Sequence, residues 1–231
     1  MESKVLPVTI DGIKYDLLQP EDQEVAADLV VNDFCLTEPC SRSLGIQPEE
    51  SLPIVKLICA RGIADRVSLK AEDATTGELV GLRVSLLRRR DAKGADEAEF
   101  RDCLQQVPTR LHPFADFIAN HSGGEAAADI FGTYGVDQYV EFFLVNVHQA
   151  YRGKQIAQRI LQLCYDLYRE MGVHIVKVLA TNPRTNHIFR KQGFQEISNY
   201  PVMNFMHDGR RYFENMEETE NAFTFVKDLR K

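Results

Sequence analysis

From residue 139 onward the hydrophobic period of the chain changes twice. Tyr139-Val-Glu-Phe-Phe-Leu-Val-Asn-Val147 is β-branched and aromatic, the composition of a mostly buried strand. Ile156, Ile160, Leu163, Cys164, Leu167 and Met171 then recur at helical spacing, and Gly172 supplies the stop. Residues 173–181 return to a strand composition. The pattern predicts a β-α-β unit: strands 139–147 and 173–181 lie parallel and adjacent, joined through helix 155–171 by a right-handed crossover.

The remaining segments alternate in the same mixed way. Residues 13–18 read as a strand after the Asp11-Gly12 turn signal, and 21–33 as a helix introduced by Pro20 and acidic in its first turn. Residues 34–47 read as a loop and 48–62 as a second helix. A hairpin follows, 66–72 and 78–87 across Thr75-Thr76-Gly77. Two short helices near 96–106 and 110–121 fill a long excursion that Gly123-Gly124 breaks. Past residue 181 come a helix from about 184 to 192, a Gly193-Phe194 stop, and strands near 194–205 and 221–227. No repeat and no low-complexity linker divides the chain, so residues 1–231 are read as a single α/β domain.

Composition narrows the function classes. A chain of 231 residues with 44% hydrophobic content can bury a substantial core. No stretch approaches the roughly 18 uninterrupted apolar residues of a membrane span, and Met1-Glu-Ser-Lys4 lacks a signal peptide's apolar run. The five cysteines, an odd number without a Cys-x-x-Cys pair, are expected to be reduced. These features together predict a cytoplasmic protein, expected to be a monomer. The net charge of −7 disfavours nucleic acid and favours small cationic ligands. Arg88-Arg89-Arg90 is the one basic run, and it reads as a solvated strand end. The sequon Asn120-His-Ser122 reads as chance. The six histidines show no metal-ligand spacing, so no metal is expected. His148 is assigned to backbone bonding and His112 to shaping a loop.

The join between strand 139–147 and the following helix carries the candidate chemistry. Arg152, Gly153 and Lys154 place positive charge and exposed backbone N–H groups at a helix N-terminus, where a phosphate is favoured. The whole string, Val147-His-Gln-Ala-Tyr-Arg-Gly-Lys-Gln-Ile-Ala157, resembles the acetyl-coenzyme A motif of the GNAT superfamily of N-acetyltransferases, Arg/Gln-x-x-Gly-x-Gly/Ala. Arg152 and Ala157 match its ends, and Gln155 stands where the motif has its middle glycine. The resemblance implies a mixed, mostly antiparallel sheet with a splayed parallel strand pair and flanking helices. It implies acetyl-CoA as co-substrate, with Arg152, Gly153, Lys154, Gln155, Ile156 and Ala157 around the pyrophosphate. The backbone of Val145, Asn146 and Val147 is implied beside the pantetheine arm. Gln155 is expected to keep helical φ and ψ and to loosen cofactor binding without removing the amide donors.

A second stretch, Phe34-Cys-Leu-Thr-Glu-Pro-Cys40, resembles the Asp-Glu-Pro-Leu segment of insect-type arylalkylamine N-acetyltransferases, which include the dopamine acetyltransferases. Glu38 and Pro39 match; Thr37 and Cys40 depart. The resemblance implies that Glu38 is the general base. In Ala180-Thr-Asn-Pro-Arg-Thr185, Thr181 and Thr185 align with two serines implicated in proton handling, and two readings stand side by side: proton transfer, or capping of helix 184–192. Cys40, a thiol beside the substrate loop, offers a minor acetyl-cysteine route.

The function implied is acetyl transfer from acetyl-CoA to a small primary amine, an arylalkylamine or an aliphatic diamine or polyamine, by direct attack. Two other readings are weighed against it. Acetylation of a protein lysine or N-terminus needs an open groove, which the segment 96–121 is expected to cover. A coenzyme A-binding regulatory protein with little turnover is suggested by Gln155, and retention of Glu38 opposes it.

Overall fold

The computed structural model describes residues 3–118, 129–214, 216 and 221–231. The sequon, His121 and Gly123-Gly124 lie outside the described residues, as does the end of the expected helix 110–121.

The strands are β1 (Val8–Ile10), β2 (Ile13–Leu17), β3 (Leu69–Asp73), β4 (Leu79–Arg89), β5 (Gln138–Val147), β6 (Ile175–Ala180), β7 (Gln195–Pro201), β8 (Met206–His207), β9 (Arg210–Arg211) and β10 (Asn221–Asp228). Eight of them form one sheet in the order β1-β2-β3-β4-β5-β6-β10-β7, and β8 and β9 make a separate ribbon. Within the large sheet every pairing is antiparallel except β5 with β6, as the resemblance implies. The helices are α1 (Gln23–Leu29), α2 (Cys35–Thr37), α3 (Pro39–Ser43), α4 (Pro48–Ala64), α5 (Lys93–Leu104), α6 (His112–Asp116), α7 (Ile130–Tyr134), α8 (Ile156–Glu170) and α9 (Pro183–Lys191).

Each face of the sheet buries its own core. On one face α8 presents Ile156, Ile160, Leu163, Cys164, Leu167 and Tyr168 to Val140 and Phe142 of β5 and to Val176 and Val178 of β6. A helix of this length is marginal by itself in water. Burying such side chains contributes about 1.5–3 kcal/mol each, so packing on the sheet, more than propensity, holds α8 in place. On the other face Ala26, Ala27, Val55, Ile58 and Cys59 of α1 and α4 cover Leu82, Val84 and Leu86 of β4 and Leu144 of β5.

Several expectations are corrected. The stretch 34–47, read as a loop, is largely helical. A π-turn over Val30–Phe34 extends α1, α2 follows it, and the chain leaves helical geometry at Glu38 (φ −72°, ψ 129°). The cause is Pro39, whose ring disfavours α geometry in the residue before it yet suits the first position of α3. The run Arg88-Arg89-Arg90 is not simply solvated, because each guanidinium meets an acid: Arg88 on Glu141 (2.7 Å), Arg89 on Asp65 (3.0 Å) and Arg90 on Asp137 (3.2 Å). β1 went unread although its signal was present, since Asp11 (φ 51°) and Gly12 (φ 77°) form the two-residue turn that pairs Ile10 with Ile13. The insertion of β10 between β6 and β7 left no mark in local sequence.

α4 carries one wall of the site described below, and it lies against the sheet at Gly62. A Cβ built there would stand 2.2 Å from Ser68 Oγ and 2.7 Å from the Ser85 carbonyl oxygen. Gly62→Ala is therefore expected to cost about 1–3 kcal/mol by forcing helix and sheet apart, despite alanine's better helix propensity. Urea denaturation checks this, and an alanine variant as stable as the parent would show that the contact relaxes freely.

Candidate active site

β5 and β6 pair only at Val140 with Val176, Glu141 with Lys177, and Phe142 with Val178. Beyond Phe142 the two strands part. On its other edge β5 stays paired to β4 as far as Gly81 with Val147, with a register shift between Val84 and Ser85 that makes Phe143 an extra residue. A bulge of this kind bends and twists its strand, and here it falls where the neighbours separate. The His148 N–H donates to the Val80 carbonyl (2.9 Å), so the alternation of the ladder turns the backbone of Leu144 and Asn146 toward β4. The backbone of Val145 and Val147 then faces the gap. The Asn146 side chain points elsewhere, donating to the Leu29 carbonyl at the end of α1 (3.1 Å).

Above the gap runs the Arg152–Ala157 loop. His148 accepts from the Ala150 N–H (3.4 Å), the structural part assigned to it from sequence. Gly153 has φ 82° and Gln155 has φ 61°, ψ 15°. The expectation of helical angles at Gln155 is thus wrong: the position requires the left-handed region, which glycine enters freely and glutamine only at a cost. Among the described residues, no protein acceptor takes the backbone N–H groups of Gly153, Lys154, Gln155, Ile156, Ala157 or Gln158. Such a run of unmet amides at the start of α8 is an anion nest. Ile156 is buried and anchors the turn, Ala157 is half-buried, and residues 152–155 are exposed. Arg152 donates through Nε to the Val147 carbonyl (3.1 Å) and through a terminal nitrogen to both oxygens of Asp33 (2.7 and 2.9 Å). The Lys154 ammonium sits 4.4 Å from the centre of the Tyr151 ring.

On the far side of the gap, Glu38 ends α2 and caps α3. Its Oε1 accepts from the Cys40 N–H (3.0 Å) and the Thr181 hydroxyl (2.6 Å); its Oε2 accepts from the Ser41 N–H (2.7 Å) and the Ser41 hydroxyl (2.8 Å). Two residues that the same resemblance singled out, from segments 143 positions apart, thus meet directly. The α9 cap falls to Asn182, whose side chain accepts from the Arg184 N–H (2.9 Å), so Thr181 is not the capping residue. Thr185 is half-buried in the first turn of α9 and does not line the cavity beside Glu38. Ser41 was missed, although a residue three positions after a capping side chain is a known reciprocal partner.

Glu38, Ser41 and Thr181 open on a cavity of about 190 Å³. Its walls are mainly apolar and include Phe34, Ile54, Phe143, Leu144 and Leu179. Phe100, Val107, Leu111 and Phe114, from the excursion after β4, close one side as the sequence reading expected. Two more carboxylates reach the lining, both already paired. Burial alone would raise the Glu141 carboxyl, but Lys177 (3.1 Å) and Arg88 (2.7 Å) hold it down at about 2. Glu50 accepts from the Gln47 N–H (2.8 Å) and from Arg110 (2.5 Å). Among the described lining residues, Glu38 is the one carboxylate without a cationic partner. Cys40 is fully buried among Phe117, Phe205 and Phe213, and burial together with the nearby Glu38 pushes its thiol well up. It does not line the cavity, so an acetyl-cysteine route has no access. No group of three or more potential metal ligands occurs among the described residues.

Residues 116–196, which span the splayed pair and the loop between them, match the family model described as an acetyltransferase (GNAT) domain. The fold is similar to that of arylalkylamine N-acetyltransferase 2 from Aedes aegypti, with a TM-score of 0.81 at 16% identity over 95% of this chain and 100% of that one. It is also similar to a polyamine N-acetyltransferase of Drosophila melanogaster that forms N-acetylagmatine, with a TM-score of 0.76 at 16% identity over 94% of this chain and 99% of that one. The parted strands and the amide nest at the head of α8 both fall within residues 116–196, the stretch that matches the acetyltransferase (GNAT) domain model.

Proposed function

We propose that this chain transfers the acetyl group of acetyl-CoA to a small primary amine with an apolar body, Glu38 receiving the amine's proton. The observation that carries this reading is the 2.6 Å bond from Thr181 to Glu38 at the mouth of an apolar cavity behind the gap. The residues present suit the co-substrate: the unmet amides of 153–158 fit a diphosphate, and the gap-facing backbone of Val145 and Val147 offers hydrogen bonds to an extended arm. The coenzyme supplies an activated acyl group as a thioester. Val145 and Val147 align it, and the apolar walls exclude water from it.

A carboxylate offers about four lone-pair positions, and those of Glu38 are all taken by protein donors. The proton therefore travels through a hydroxyl. Thr181 accepts it from the amine while passing its own proton to Oε1 of Glu38. The walls favour an aromatic or alkyl body over a second ammonium, because Glu141 and Glu50 already hold cations. The covering segment that carries Phe100 and Phe114 opposes a peptide substrate.

Thiol release from acetyl-CoA across a panel of arylalkylamines, alkylamines, diamines, polyamines and a lysine peptide tests the reading. Turnover is expected with the first two groups. Activity confined to the peptide, or coenzyme binding without turnover of any amine, would reject it.

Glu38→Gln is expected to lower kcat by roughly 10²-fold or more, with partial recovery at high pH where free amine is supplied by the solvent. Weakening the α3 cap should also cost about 1 kcal/mol, read separately by thermal melting. Unchanged turnover at neutral pH would remove Glu38 from the mechanism.

At Gln155 the left-handed backbone decides the sign of the stability effect of glycine. Gln155→Gly is expected to stabilise the fold by up to about 1–2 kcal/mol, by relieving a left-handed glutamine, and to tighten acetyl-CoA. Calorimetry and melting curves check both parts. A variant that loses coenzyme binding while remaining folded would show that the glutamine side chain is itself a ligand contact.

A further inference from the structure

Three carboxylates belong to the described lining of the cavity, and each is compensated differently. Glu38 has hydrogen-bond donors and no cation. Glu141 has two cations, Lys177 and Arg88, so loss of either leaves the other. Glu50 has one, Arg110. The charge that this wall shows to a ligand therefore depends on a single side chain.

Arg110 is not itself part of the lining. It belongs to the turn Thr109–Leu111, which the buried Leu111 anchors and which the Tyr212 hydroxyl secures by donating to the Arg110 carbonyl (2.6 Å). From that fixed point its guanidinium donates to the Leu44 carbonyl (3.0 Å) and to Oε2 of Glu50 (2.5 Å). Glu50 needs no such help to keep its place. It is the reciprocal partner in the capping box of α4, where the Gln47 N–H donates to the same Oε2 (2.8 Å). That N–H first, and Arg110 after it, hold the Glu50 carboxyl below the usual carboxylate range, so it is ionised at neutral pH. Both donors sit on Oε2, which leaves Oε1 as the oxygen open to a ligand. What Arg110 adds is positive charge: with it the pair is neutral, and without it the cavity holds an uncompensated anion.

We infer that Arg110 is a specificity-determining residue, which by neutralising Glu50 from outside the lining makes the cavity refuse an amine bearing a second cation and selects monoamines. This rests on the acetylation of a small amine proposed above. A diamine has to bring its far ammonium out of water into apolar walls, a cost that a carboxylate repays only where its charge is not already spent. Discrimination of this kind lies in a compensated charge rather than in a clash, so it can be reversed by one substitution.

The test uses matched pairs of n-alkylamines and α,ω-diamines from four to eight carbons, which differ only in the terminal ammonium, and reads the ratio of kcat/KM for monoamine over diamine. The wild type should favour the monoamine at every length. In Arg110→Gln the ratio should fall about tenfold at the best-fitting length, the worth of one charge-assisted hydrogen bond. The double variant Arg110→Gln, Glu50→Gln should return it to near the wild-type value. Glu50→Gln alone leaves the guanidinium without its acid and should raise the ratio. An arginine that only braced the fold would change the melting temperature, or turnover of both partners of a pair alike, and leave the ratio where it was. A wild type that prefers diamines overturns the inference, as does a ratio that Arg110→Gln does not lower or that stays low in the double variant. If Arg110→Gln does not fold, Glu50→Gln decides alone, and an unchanged or lowered ratio rejects the inference. Absence of turnover with every amine is a different result: it rejects the acetylation reading itself.

Discussion

The parting of β5 from β6 after Phe142 and Val178 is the constraint on which the rest of the site depends. A sheet does not give up ladder bonds at its centre without a reason, because buried backbone groups left unpaired are costly. Here the other edge of β5 stays fixed to β4 down to Val147, and the extra residue at Phe143 twists the strand where the separation begins. The outcome is a rigid strand with one open edge, enclosed by protein on both faces. Arg152 partly relieves that edge by bonding the Val147 carbonyl, so the basic loop above the gap and the gap itself are one construction. The apolar cavity begins behind the same residues, at Phe142, Phe143 and Leu144 on one strand and Leu179 on the other.

At the opposite side of the cavity Glu38 caps α3, and the proposed function gives the same carboxylate a part in the chemistry. Its carboxylate takes two first-turn N–H groups of α3, which fixes its orientation without any cation. α3 is in turn anchored by Cys40 inside an aromatic cluster that includes Phe117, Phe205 and Phe213. The same capping bonds occupy lone pairs that a base acting directly on the amine would need. The hydroxyl of Thr181, distant in sequence just past the end of β6, is the route that the proposed function assigns to the proton.

How much of this was legible follows from the range of the forces involved. The β-α-β unit could be read because period and punctuation are local, and β5, α8 and β6 each lie within two residues of the predicted bounds. Pro39 misled the reading of residues 34–47: a single proline ends one helix and starts another, and the sequence shows only the break. Gln155 misled it differently. A motif glycine can mark close approach of a ligand or a positive φ, and only the backbone shows that the second holds here. The bond between Glu38 and Thr181 was beyond any local signal, although each residue had been named. Ser41 was within reach, since it stands three positions after the capping glutamate.

The charges around the cavity follow a single logic. The chain carries a net charge of −7, which attracts an ammonium from a distance, whereas apolar walls penalise that ammonium once it enters. A second unpaired carboxylate inside would hold the amine in its charged, unreactive form. Glu141 is spared that role by Lys177 and Arg88, and Glu50 by Arg110. Glu38 remains as the carboxylate of the described lining that no cation meets, so under the proposed function the field of the cavity would point the ammonium to it. In the proposed reaction, walls that disfavour charge would then work in the forward direction, because the neutral amine left after proton transfer is the form that attacks.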